Sequence, residues 1–399
     1  MNNVVVAGKN NIAVEILDYL IKEYPKLKVY AVLNSTDNGV DSWQRSFKKY
    51  VNENQIEILT LEECYLLEDS LFLSLEFDKI VKPDLFMTNK MFNIHFSLLP
   101  SYKGMYTSAL PLLNGESSTG VTLHEINKGI DTGNIIAQTE FELCDINNSL
   151  ELYNLYIVHG IELVKGNLDT LLLNTYVSVP QPSYSSTYYS KKTINYSSLS
   201  LNFTCTAWQV KNQVKAFTFR PYQLMKYDCD YISHSNILTV LSTHKPGTLI
   251  YEDSNKFIIS TIDYDIELIK DKLDLLLLAS ENGDLDTVRT ILSHNPSLIN
   301  EKNEKGWSAI IVATYFGQKN IIELLLSFGG NINDRNFNGT TVIMYAKDFC
   351  LKQGTPELLN FLIDKGAKTE LKDFSGKTVF DYIHPSHSCP VTTFLENIK

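Results

Sequence analysis

The chain has no apolar run long enough to cross a bilayer. Its longest runs, such as 275–279, fall far short of the ~20 residues a spanning helix needs. No basic stretch followed by an apolar core opens the sequence, so no secretory signal is expected and the expected compartment is the cytoplasm. Cysteine is sparse. Cys64, Cys144, Cys205, Cys229, Cys350 and Cys389 are scattered without a C-x-x-C pair, which argues against a disulfide framework and predicts free thiols in a reducing compartment. Positive charge is in deficit: 35 Lys and Arg against 46 Asp and Glu leave a net −11 over 399 residues. Such a balance argues against a polyanion as main partner, because nucleic-acid binding relies on clustered Lys and Arg. A small phosphorylated ligand needs only a local pocket. No G-x-G-x-x-G motif follows the first strand, so no dinucleotide site is expected. No cluster with metal-ligand spacing is visible, and no metal is expected.

A chain of this length implies two or three domains. Asn3-Val4-Val5-Val6-Ala7-Gly8 is a β-branched run stopped by glycine, the pattern of a buried parallel strand. A helix over 12–23 and a strand over 29–33 follow at βαβ spacing, and Leu71-Phe72-Leu73-Ser74-Leu75 reads as another buried strand. Asn10 and Asn11 suit the cap of the first helix; Asn10 could instead meet a phosphate at that helix terminus. A long helix over about 150–173 closes this doubly wound α/β region.

Chemistry concentrates in two stretches. In Asn93-Ile94-His95-Phe96-Ser97-Leu98-Leu99-Pro100-Ser101-Tyr102-Lys103-Gly104 an amide and an imidazole stand two residues apart, on one side of the backbone if they leave a strand end. Gly120-Val121-Thr122-Leu123-His124 then leads, as strand, turn and strand, to Asp131-Thr132-Gly133. Asn93, His95 and Asp131 could converge as amide, base and carboxylate; a hydrogen-bonded core histidine is the plainer alternative.

Together the two stretches resemble the folate-dependent formyltransferase family, whose pattern is N-x-H-x-S-L-L-P-x-x-x-G, then G-V-T-x-H and D-T-G. The likeness covers roughly residues 1–180. Phe96 departs from it, since many members carry Pro there. The resemblance implies a formyltransferase-type Rossmann-like sheet and transfer of a formyl group from N10-formyltetrahydrofolate, a cosubstrate, to an amine. It implies catalytic roles for Asn93, His95 and Asp131, and folate binding by the loop carrying Leu75, Phe77 and Lys79 together with Asp131. Acceptor binding is expected of Asn10, Tyr102, Lys103 and Tyr106, and of Phe219-Arg220-Pro221-Tyr222, where rings can stack on a base and the guanidinium can pair with phosphate. A hydrophobic hairpin with one exposed Arg is the alternative for that segment.

Residues 175–196 are rich in Ser, Tyr and Pro and read as a boundary running over the first domain's surface. A short helix near 208–216 and several short strands over 238–262 make the middle region, 181–268, small and β-rich. Its tyrosines, Tyr184, Tyr188, Tyr189, Tyr196, Tyr227 and Tyr231, predict a homodimer contact beside the acceptor cleft. From 269 to 399 the pattern is that of all-α ankyrin repeats. Gly306-Trp307-Ser308-Ala309-Ile310-Ile311-Val312-Ala313 recurs 33 residues later from Gly339, and Gly376 begins a third copy 37 residues on. The extra residues are expected to lengthen a loop over 350–356. Trp307, Tyr315 and Arg335 are candidates for a second ligand surface; docking within the chain, a protein partner and a second nucleotide sugar all remain open.

The −11 charge and the repeats fit methionyl-tRNA formyltransferases poorly. The best fit is to sugar N-formyltransferases with C-terminal ankyrin repeats, which act on dTDP-3-amino-3,6-dideoxyglucose and supply O-antigen. The alternatives are formylation of another amine, in tRNA or a small metabolite, and an ankyrin interaction protein with a non-catalytic folate-binding domain.

Overall fold

The computed structural model describes residues 2–383 and 389–399. The chain divides into two compact units, one formed by 1–40 and 45–270, the other by 41–44 and 271–399.

The first unit is built on a seven-stranded sheet of order β3-β2-β1-β4-β5-β7-β8. Its elements are β1 (Asn3–Gly8), α1 (Asn10–Glu23), β2 (Lys28–Leu33), α2 (Phe47–Glu53), β3 (Glu57–Ile58), α3 (Leu61–Tyr65), β4 (Ser70–Leu75), β5 (Met91–His95), β6 (Lys103–Gly104), α4 (Leu110–Asn114), β7 (Ser118–Glu125), β8 (Ile135–Glu142) and α5 (Ser149–Leu173). β3, β2, β1, β4 and β5 are parallel, while β7 and β8 are antiparallel. Val4, Val5, Val6 and the whole of β4 are buried, as expected for strands covered on both faces. The chain leaves β1 on one side for β2 and returns on the other as β4, so a crevice opens beyond the carboxyl ends of β1 and β4. Ligands of open α/β sheets lie at such reversals. Gly8 is required there: a Cβ would stand 2.0 Å from the Leu75 carbonyl oxygen.

Beyond α5 the chain crosses back, and β9 (Tyr188–Tyr189) pairs in parallel with β6. α6 (Ala207–Phe217) starts from a Thr206–Gln209 capping box. A five-stranded sheet of order β10-β11-β14-β13-β12 completes the unit, from β10 (Met225–Tyr227), β11 (Asp230–Leu241), β12 (Leu249–Glu252), β13 (Lys256–Ile259) and β14 (Tyr264–Lys270).

The second unit is a stack of helix pairs: α7 (Leu273–Asn282) with α8 (Leu285–His294), α9 (Ala309–Tyr315) with α10 (Lys319–Ser327), and α11 (Val342–Gln353) with α12 (Glu357–Asp364), ahead of α13 (Pro390–Asn397). One continuous core runs through Leu276, Val288, Ile310, Ile322, Leu325, Ile343 and Leu359. The residues that stretch the second period do not lengthen a loop. They extend α11 to twelve residues, because Lys347 and Cys350 are buried along it and no breaker occurs before Gly354, which caps it at φ 75°. Among the described residues no helix is long and apolar enough to cross a membrane.

Candidate active site

Asn93 and His95 close β5, whose neighbour β7 puts His124 opposite Asn93. Asp131 lies in the turn between β7 and β8, with its backbone at φ 52°. The Gln181 amide nitrogen donates to the Asp131 and Gly133 carbonyls at 2.8 and 2.7 Å and clamps that turn. The three predicted groups converge: His95 Nδ1 lies 3.5 Å from Asp131 Oδ2, and the Gly104 N–H donates to the same oxygen at 2.8 Å.

The remaining motif residues hold this geometry. The Thr122 hydroxyl donates to the Ser97 carbonyl at 2.6 Å and accepts from the Leu99 N–H at 3.1 Å. The Ser97 hydroxyl reaches the Ser101 carbonyl. Phe96 stacks on Tyr156 with centroids 5.3 Å apart, filling space with a ring where the family pattern has Pro.

His95 Nε2 lies 2.8 Å from the Tyr102 carbonyl, which can only accept, so the ring proton resides on Nε2. The basic atom is therefore Nδ1, the one facing Asp131. Burial pushes the His95 pKa below its ordinary value; the Asp131 charge and the Tyr102 carbonyl oppose the shift without cancelling it. Burial would by itself raise the Asp131 pKa, yet the charge of His95 when protonated and the Gly104 N–H help bring it down to about 2. At neutral pH the pair thus holds an unprotonated base beside a carboxylate.

His124 is the site residue that sequence reasoning left unassigned. Its Nδ1 lies 2.7 Å from the Glu125 carbonyl and so carries the proton; its Nε2 then accepts from Asn93 Nδ2 at 3.0 Å. That bond turns the amide so that its second N–H is free to donate. The signal was present in the second motif, but its meaning depended on strand register.

The residues expected at the acceptor take several positions. The Tyr102 hydroxyl donates to Glu116 and accepts from Asn114, while its N–H donates to the Thr187 hydroxyl. Lys103 Nζ reaches Ser186 at 3.1 Å, and the Tyr106 hydroxyl donates to the Lys191 and Ile194 carbonyls. Asn10 does not cap α1, which has no side-chain cap; its amide donates to Glu76 and Tyr153. Phe219 is buried and stacks on exposed Tyr222 at 5.1 Å, with Arg220 between them in sequence. The loop expected to hold folate leaves β4 from buried Leu75; the Phe77 ring packs on Phe72, and Lys79 is exposed.

In the second unit the Trp307 ring lies 5.2 Å from Tyr315 and 5.5 Å from Tyr345. Arg335 is partly exposed, and its N–H donates to Asp334. Of the middle-region tyrosines, Tyr184, Tyr188, Tyr196 and Tyr231 are exposed, Tyr189 stacks on Tyr102, and Tyr227 packs on Phe257.

Comparison with known proteins places the chain in a family. The formyl transferase family pattern matches residues 46–157, and that of ankyrin repeats, in three copies, matches 276–373. WlaRD, a sugar 3N-formyl transferase crystallised with dTDP and 5-N-formyl-THF, is 41% identical with a TM-score of 0.63, over 68% of this chain and 98% of that one. The N-formyltransferase from Helicobacter canadensis, in complex with folinic acid and dTDP-3-aminofucose, is also 41% identical with a TM-score of 0.63, over 68% and 100%. Methionyl-tRNA formyltransferase of Staphylococcus aureus (strain MW2) is 25% identical over 294 residues, 68% of this chain and 91% of that protein.

Proposed function

The chain belongs to the sugar N-formyltransferases and is an N-formyltransferase with ankyrin repeats; from that premise we propose that it moves a formyl group from N10-formyltetrahydrofolate to the amine of a dTDP-linked amino-dideoxy sugar. The favoured acceptor is dTDP-3-amino-3,6-dideoxyglucose, and the product would serve the building of O-antigen in the cytoplasm. The observation that carries this reading is the Asn93–His95–Asp131 arrangement, in which His95 Nδ1 faces Asp131 at 3.5 Å.

The acceptor amine attacks the formyl carbon, and the formyl oxygen gains negative charge. The free Asn93 N–H donates to that oxygen, as in an oxyanion hole. His95 Nδ1 takes the proton released by the amine. Asp131 stabilises the resulting imidazolium. The C–N10 bond then breaks, and the proton held on His95 is delivered to N10, leaving a formamide and tetrahydrofolate. Folate binding falls to the Leu75–Phe77–Lys79 loop and Asp131, and the base and diphosphate to Phe219, Arg220 and Tyr222, with Asn10, Tyr102, Lys103 and Tyr106 framing the approach. Incubation with formyl donor and a panel of dTDP-amino sugars tests the reading. A mass gain of one formyl group on a 3-amino sugar supports it, and no gain on any nucleotide-linked sugar overturns it.

Two further parts of the proposal concern assembly and regulation. A homodimer through 181–268 would cover the apolar residues exposed on and around the five-stranded sheet, among them Tyr231, Val240, Leu241, Ile250 and Tyr251; a monomer mass by light scattering removes it. A second nucleotide sugar at Trp307, Tyr315 and Arg335 would link acceptor level to activity. Calorimetry finding two sites per chain, and one in Trp307→Ala, supports that; a single site in the wild type removes it.

A further inference from the structure

Glu76 immediately follows β4 at the crevice where the strand order reverses. It lies inside the loop assigned to folate, between Leu75 and Phe77, but its side-chain contacts run away from that loop to Asn10 and Tyr153. Asn10 Nδ2 donates to its Oε2 at 3.2 Å, and the Tyr153 hydroxyl donates to the same oxygen at 2.7 Å. Among the described residues no hydrogen bond reaches Oε1. One oxygen is thus anchored twice while the other is left as an acceptor.

The backbone is held for this purpose. Glu76 has φ 58° and Asn10 has φ 63°, a left-handed conformation that a residue with a Cβ adopts only at a cost. Asn34 pins the turn: its amide donates to the Glu76 carbonyl at 2.9 Å, and its Oδ1 accepts from the Asp78 N–H. Strain that neighbouring contacts maintain is a mark of a working site. Protein surrounds the Glu76 carboxylate enough to raise its pKa, yet the residue keeps some surface open. That combination describes the floor of a cleft.

The aromatic neighbours locate the cleft. The Tyr153 ring meets Phe96, which follows His95, edge-on at 5.9 Å. It meets Phe219, the partner of Tyr222, at 5.8 Å. Tyr153 therefore spans the interval between the proton acceptor and the aromatic pair assigned to the nucleotide. A carboxylate there repels a diphosphate, so the group beside it is the hexose. It does not suit the amine itself, because a carboxylate would hold that amine as ammonium and remove its nucleophilic lone pair. A hydroxyl beside the amine fits, because it can donate to the carboxyl oxygen that no protein group reaches.

We propose that Glu76 determines acceptor specificity, its Oε1 accepting a hydrogen bond from one of the two hexose hydroxyls adjacent to the reacting amine. Asn10 and Tyr153 act as positioning residues for it. The assignment rests on the amino-sugar reading above.

The test compares kcat/KM for dTDP-3-amino-3,6-dideoxyglucose with that for each analogue lacking one of the two hydroxyls next to the amine, at C2 or at C4, the larger ratio being the preference. The wild type is expected to prefer the hydroxylated sugar by ~10- to 100-fold, the range for leaving a buried acceptor unmet. In Glu76→Ala the preference should shrink to less than about threefold, because the deoxy analogue no longer leaves an acceptor unmet. Melting temperatures report whether the fold is kept. If Glu76→Ala does not fold, Glu76→Gln makes the same comparison at constant volume and should still lower the preference. Equal use of all three sugars by the wild type, or an unchanged preference in the variants, overturns the Glu76 assignment alone. Formylation of none of the sugars by the wild type overturns the amino-sugar reading and this assignment with it.

Discussion

The two units treat backbone strain in opposite ways. Among the described residues, every position of the ankyrin unit reported at positive φ is a glycine, from Gly283 through Gly306 and Gly339 to Gly376. Around the carboxyl edge of the large sheet the same conformation is taken by Asn10, Glu76, Tyr102, Tyr106 and Asp131. A repeat stack needs each turn to form cheaply and identically, and glycine does this. The edge proposed to be catalytic keeps particular side chains at tight turns and accepts the strain, as do Gln55, Asp69, Asn174, Ser185 and Asp228 elsewhere in this unit. Stability organises one region and chemistry the other.

Four measurements can break or sharpen that contrast. The largest effect is expected at the catalytic edge. His95→Ala should lower kcat by ~10²- to 10⁴-fold with the melting temperature nearly unchanged; retention of more than about a tenth of kcat would refute the general-base role. In the repeats the order reverses. Leu325 is fully buried, so Leu325→Ala should destabilise the second unit by about 2–5 kcal/mol, read from its urea midpoint; a loss below about 0.5 kcal/mol would show that the core is not continuous.

The third measurement is a pH profile of kcat at saturating acceptor. In the proposed role His95 must be unprotonated, and burial places its pKa below the ordinary 6.5. The rate should stay level as pH falls past 6.5 and then drop about tenfold per unit. An acid limb at or above 6.5 contradicts the burial argument. The smallest effect concerns strain away from the chemistry. Asp228, exposed in the turn between β10 and β11, has φ 52°. Asp228→Gly should raise stability by about 0.5 kcal/mol, relief of left-handed strain exceeding the entropy of glycine, and leave formyl transfer unchanged. A loss of activity would show that strain in this unit is catalytic even far from the sheet edge.

This contrast also governs how much could be read from the sequence. The ankyrin stack announced itself through its period, because each repeat solves the same local problem. The strands leading to Asn93 and the turn carrying Asp131 were legible for a similar reason, as short motifs that hold their own loops through Ser97 and Thr122. The Glu76 anchorage was not legible. It joins Asn10, Glu76 and Tyr153 across separations of 66, 77 and 143 residues, and no local pattern encodes such a meeting. Asn10 looked like a helix cap because its position allowed one; the carboxylate across the crevice takes the amide instead. The length of α11 is hidden from the period because burial of Lys347 and Cys350 depends on neighbours the period does not reveal.

The pairing of β6 with β9 has a consequence for anyone who would dissect this enzyme. The sequence motifs end well before residue 180, which invites a catalytic fragment cut there. Yet the turn that presents the Tyr102 carbonyl to His95 is fastened from outside such a fragment. The Thr187 hydroxyl receives the Tyr102 N–H, the Ser185 carbonyl receives the Ser101 hydroxyl, and Tyr188 and Tyr189 lie alongside Lys103 and Gly104. A protein shortened to the motif-bearing portion would carry every reactive group and lack the clasp that aims one of them. Recombination between relatives faces the same limit: a crossover within 180–190 would exchange the clasp without the turn it fastens, whereas one near 270 keeps both from the same parent.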